Sequence, residues 1–155
     1  MERLDFAVGA LDGDFYKSRF TGYVAVSAVT AYEVNVRTSL IAFATRKHAV
    51  FGTFSASTFE KTNARVKLDM LRKDYLGRMG EKYLSRFNKR LNKIEEVKLR
   101  ETHKSIKTSY NNLILWRHTF VHDGVLPQYA NYDEARSAYD LGKEVIQCFC
   151  ESLYR

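Results

Sequence analysis

Pro127 is the single proline among 155 residues, and that scarcity constrains the fold more than any other feature of the chain. Proline removes a helical hydrogen-bond donor and breaks the helix interior, so a chain almost free of it can sustain long helices. Apolar residues at three- and four-residue steps over long stretches point the same way. The expected fold is all-α: a single-domain helical bundle of about five helices, with its core over residues 20–153. A first short helix is expected from about Arg3 towards Phe15, interrupted near Gly9 and Gly13. A long second one runs from about Phe20 to His48, with Val24, Ala28, Tyr32, Val36, Leu40 and Phe43 on one stripe, and forms the spine of the core. Phe51 to Ala64 is rich in Ser, Thr and Gly and reads as a loop or short helical turns. Val66 to Leu76 and Glu81 to about Arg100 are further helices, split by Gly77 and Gly80. Ile106 to His122 follows, stopped by Asp123-Gly124 and Pro127. Asn131-Tyr132-Asp133-Glu134 has the pattern of a capping box, a short polar cap with a Glu three residues on, opening a last helix that reaches about Leu153.

At 45% hydrophobic content, the chain can bury one well-packed core and is too short for two ordinary domains. Cys148 and Cys150 stand two apart in a helical pattern, too close to staple distant parts of the fold, and so indicate a reducing compartment. The start Met1-Glu2-Arg3-Leu4-Asp5 is acidic and lacks the apolar core of a signal peptide. The longest nearly uncharged run, Phe20 to Tyr32, falls short of the ~20 residues that span a bilayer. A cytoplasmic protein without a membrane segment is expected.

Positive charge is concentrated. Between Lys61 and Lys107 there are fifteen Lys and Arg against six Asp and Glu, a surplus of nine, whereas the whole chain carries +7. Arg86, Lys89, Arg90 and Lys93 recur at helical steps and build a positive face. Such a face can take up a phosphate backbone by releasing its counterions, although many basic helical faces are simply solvated.

The densest chemistry lies in Trp116-Arg117-His118-Thr119-Phe120-Val121-His122-Asp123-Gly124. Six of those residues hold one guanidinium and two imidazoles at the end of the apolar segment Tyr110 to Trp116. Arginine offers a rigid fork of donors that matches phosphate oxygens, and histidine gives and takes a proton near neutral pH. Together they suit cleavage of RNA.

These residues resemble the signature of the HEPN superfamily: an Arg, a polar residue directly after it and a His a few positions on, here Arg117, His118 and His122, on a penultimate long helix. Tyr32 to Arg37 in the long second helix and the Asn131 to Glu134 start of the last helix are similar to the HEPN subgroup encoded near RNA ligases and phosphatases. The resemblance covers about residues 20–153. It implies a helical bundle that forms a homodimer, with the two motif helices facing each other across one composite cleft. It also implies metal-independent endoribonuclease activity, often in toxin-antitoxin or anti-phage systems, with an antitoxin or another defence-system protein as a possible partner. In relatives silenced by a nucleotidyltransferase, a Tyr stands two residues after the motif His. Gly124 occupies that position here, so modification there is excluded.

The side chains fit this implication. The 2'-hydroxyl of RNA can attack the adjacent phosphate if a base removes its proton, an acid protonates the leaving 5'-oxygen and positive charge stabilises the crowded phosphorane. No metal or cofactor is needed, and DNA lacks the nucleophile. His122 is assigned as the main acid/base, Arg117 as the clamp on the transition state, and His118 as the residue that orients a phosphate or the partner histidine. Glu33 and Asn112 are candidates to support them.

At about 100° per residue, Arg117 and His122 stand about 140° apart on an ideal helix, but His118 and His122 only about 40°. Unwinding before Gly124, or a second copy of the helix, would bring the groups together. Duller readings remain open. His118 and His122 have the i, i+4 spacing of a metal pair with Asp123 nearby, yet no further His or Cys lies at a recognisable spacing. Arg117 could be the structural partner of Glu33. The whole domain could be a catalytically inactive module that binds RNA, nucleotide or protein. His103 reads as a surface residue, and Tyr110, Trp116 and Phe120 read as core or dimer contacts rather than stacking platforms for bases.

Overall fold

The computed structural model describes residues 13–59 and 66–154, and within them the regular structure is helical throughout. There are six helices, counting a π-helix with the short turn that leads into it: α1 Asp14–Lys47, α2 Ala49–Phe59, α3 Leu68–Met70 continuing as the π-helix Leu71–Gly77, α4 Glu81–Thr102, α5 Ile106–Asp123 and α6 Tyr132–Tyr154. The all-α expectation holds.

The spine is α1, at 34 residues. Its expected stripe is the observed one: Val24, Ala28, Tyr32, Val36 and Leu40 are buried, and Phe43 packs against them. It starts at Asp14 rather than Phe20, because the positive φ of Gly13 lies just ahead of it and nothing before Phe20 breaks it. Most of the expected first helix, Arg3 towards Phe15, lies outside the described residues; Phe15 itself belongs to α1.

The expectation of a loop or short turns from Phe51 is corrected by α2 as far as Phe59, the rest of that stretch, to Ala64, lying outside the described residues. Its Ser and Thr hydroxyls turn back onto the helix, Thr53 Oγ1 donating to the Ala49 carbonyl at 3.3 Å and Thr58 Oγ1 to the Phe54 carbonyl at 2.8 Å. Groups that suggest a loop are thus satisfied inside a helix. A single extended residue, His48, separates α1 from α2, and its Nδ1 accepts from the Val50 N–H at 3.2 Å.

The central element is α6, which packs against α1, α4 and α5 and buries Ala135, Ala138, Leu141, Val145, Phe149 and Leu153 along one face. Its start follows the expected cap: Asn131 Oδ1 accepts from the Glu134 N–H at 2.9 Å. The return bond of a capping box is absent among the described residues, since the Glu134 carboxylate instead accepts from Lys104 Nζ at 3.1 Å. Tyr23 meets Phe120 and Tyr32 meets Tyr110, so α1 and α5 run antiparallel. Where they cross α6, the rings of Tyr110, Tyr32 and Tyr139 stack in succession, with centroids 5.2 and 5.8 Å apart. The Tyr32 hydroxyl donates to the Tyr139 carbonyl at 2.8 Å. Cys148 and Cys150 are both free thiols. Among the described residues no helix is long and apolar enough to cross a membrane.

Candidate functional site

The motif sits on α5, and the way that helix is held decides which side chains face solvent. Its start is anchored twice. Ser105 caps it, Oγ accepting from the Thr108 N–H at 3.0 Å, and the Glu95 carboxylate of α4 accepts from the Lys107 N–H at 3.2 Å. Ile106, Tyr110, Leu113 and Trp116 form its buried face. The Tyr110 hydroxyl donates to the Val66 carbonyl, and burial, followed by the neighbouring charge of Tyr32 and Glu33, pushes it well above the usual phenol range.

With that face inward, His118 and His122 are turned out and exposed. Their rings lie 4.4 Å apart between centroids, at 52°. The exposed apolar side chains Leu115 and Val121 are on the same helix. Arg117, half-buried, has no ion pair among the described residues. The helix continues to Asp123 and stops at Gly124, which takes the left-handed conformation at φ 70° and donates to the Phe120 carbonyl at 3.0 Å. The backbone therefore does not unwind before Gly124, and Arg117 and His122 keep the wide separation of a regular helix. Within one chain the two imidazoles come together, and Arg117 starts from a helix position about 140° round from His122.

Glu33 does not pair with Arg117. The antiparallel match of Tyr32 with Tyr110 places Glu33 near the level of Tyr110, seven residues or about 10 Å along the axis from Arg117. It lines a small cavity with Arg37, Val66 and Tyr75, and among the described residues its buried Oε1 has no hydrogen-bond partner. Trp116 Nε1 is likewise a buried donor without a partner among the described residues. Asn112 is half-buried on α5. Trp116 and Tyr110 are core residues, as expected.

On α4, Lys89 and Lys93 are exposed and Arg86 is half-buried, all on one side of the helix. Arg90 pairs with Glu151 of α6. His103 is exposed and ends α4 in the left-handed conformation at φ 56°. Among the described residues no three His, Cys, Asp or Glu side chains are grouped so that they could hold a metal ion.

Sequence reasoning passed over two features next to the motif. Arg19 of α1 lies against Phe120, 5.9 Å from the ring centroid, and beside Gly124, which puts a cation at the negative end of the α5 dipole. A groove between α3 and α5 joins Lys67, Arg72 and Asn111 to His118. Lys67 and Arg72 fall in the basic middle of the sequence, but only the fold shows which of its many cations share a groove with His118. No curated protein and no solved structure matches the chain. The family model RiboL-PSP-HEPN, however, matches residues 4–155, and on that match the chain belongs to the RiboL-PSP-HEPN family.

Proposed function

We propose that the protein is a metal-independent endoribonuclease of the HEPN type that works as a homodimer in a toxin or defence system. The observation that carries this reading is the exposed His118/His122 pair, with rings 4.4 Å apart, on the same helix as Arg117. In the proposed reaction one imidazole removes the proton of the 2'-hydroxyl, whose oxygen attacks the adjacent phosphorus. The bond to the 5'-oxygen breaks as a second imidazole protonates it, leaving a 2',3'-cyclic phosphate and a 5'-hydroxyl. The Arg117 guanidinium stabilises the negative charge of the phosphorane. Two copies of α5 across a twofold axis would supply the guanidinium from one chain and imidazoles from both, and the exposed Leu115 and Val121 provide apolar surface for that meeting. An antitoxin or another defence-system protein is the partner class such a nuclease calls for.

Incubation of purified protein with total RNA in EDTA tests this. Cleavage with cyclic-phosphate ends is expected for the unchanged chain, a fall of roughly 10²–10⁴-fold for His122→Ala, and no cleavage of DNA. The separation of Arg117 from the histidines within one chain favours a second reading, a non-catalytic RNA-binding module, and no cleavage by either protein would select it.

A further inference from the structure

The groove between α3 and α5 has the chemistry of a strand-binding channel. It holds about 400 Å³ and is lined by Lys67, Asp69 and Arg72 on one side and Asn111, Ile114 and His118 on the other. Two of these are cations and one is an anion, so the groove attracts a polyanion, and His118 opens it directly onto the imidazole pair. Ile114 and the exposed Leu115 give the apolar wall on which a base face can rest. Arg72 is fixed by a bond from its Nε to Asn88 Oδ1 of α4 at 3.1 Å, and Lys107 Nζ donates to Asn92 Oδ1 at 2.9 Å. The first bond ties one of the groove's cations, Arg72, to α4, and the second holds Lys107, outside the groove lining, against the same helix. The backbone there is unusual too: Arg72 lies in the π-helix, a rare geometry that recurs at functional positions.

We propose that this groove takes a single strand of RNA and leads it to the histidines, with Lys67 and Arg72 on its phosphates and Asn111 on a base edge. This rests on the ribonuclease reading for what happens at the far end, but not for binding itself. The pairing of cations with an apolar wall is the combination that holds single strands through backbone charge and base faces together. A duplex presents its bases to each other and has no base face to offer Ile114. Asp69 supplies an acceptor suited to a ribose hydroxyl or a base amino group.

Fluorescence anisotropy with a short labelled single-stranded RNA in EDTA, in the His122→Ala background so that the probe survives, reads the binding. Lys67→Glu and Asn111→Asp, both at exposed positions, are expected to weaken it about tenfold each and, for Lys67→Glu, to reduce the salt dependence by about one ion. Lys143→Glu on α6 serves as the control for a general change of charge, and circular dichroism checks that helix content is kept. Binding by both variants as tight as by Lys143→Glu, or no binding of single-stranded RNA by the parent, overturns the channel. The two readings fail separately. Loss of binding in these variants without cleavage by the unchanged chain leaves the channel and removes the nuclease, whereas His122-dependent cleavage with binding untouched by Lys67→Glu does the reverse.

Discussion

Gly142 shows how far a single position can govern the packing behind the motif helix. A Cβ there would lie 2.3 Å from the Tyr32 hydroxyl and 3.3 Å from the Tyr110 ring, both of them buried. Gly142→Ala should therefore displace the tyrosine stack and cost about 1–3 kcal/mol by overpacking, seen as a lower urea midpoint at unchanged slope. An unchanged midpoint would mean that Tyr32 has room to move. The same scale shows what the sequence could reveal of the candidate site. His118 and His122 are four apart on a helix whose Tyr110, Leu113 and Trp116 fall on the other side, so their closeness follows from helical periodicity. Glu33 is different: its place on a mostly apolar helix suggested a mate in Arg117, and only the antiparallel match of α1 with α5 shows that the two stand at different levels. Lys67 and Asn111 are more than forty positions apart in sequence and share a groove, a relation no local pattern expresses.

Among the elements, the long ones were legible and the second was not. The stripe of α1, the start of α4 and the stop of α5 are written in apolar spacing, in Gly80 and in Gly124 respectively. What hid α2 is that its hydroxyl-rich composition serves loops and helices equally, the choice being made by side-chain bonds to carbonyls three or four residues back and by the packing of buried Gly52 against Thr45. For α6 the start is fixed by one side chain, Asn131. Its replacement by Ala should cost about 1 kcal/mol, measured as a lower thermal midpoint. Glu134→Ala, whose carboxylate is engaged with Lys104 at the surface, should change stability by less.

At the scale of the whole molecule, the core makes folding sensitive to alkali. Burial pushes the Cys148 thiol from 9.0 up to about 11, and the Tyr32 and Tyr110 hydroxyls rise above their ordinary 10.0 for the same first cause. In each case the unfolded chain gives up its proton first, so the stability is fully present below about pH 9 and declines as pH rises beyond it. For Cys148 alone the loss by about pH 11 is about 2–3 kcal/mol, which urea midpoints on either side of that window would register; equal midpoints would show that these groups ionise without unfolding.

The regular course of α5 as far as Asp123 makes dosage part of the proposed chemistry. A helix that keeps its guanidinium and its far imidazole on different flanks cannot close a pocket by itself, so each chain would idle until it met a twin. Turnover per chain should then climb with protein concentration and fade on dilution, making abundance in the cell a throttle on the reaction.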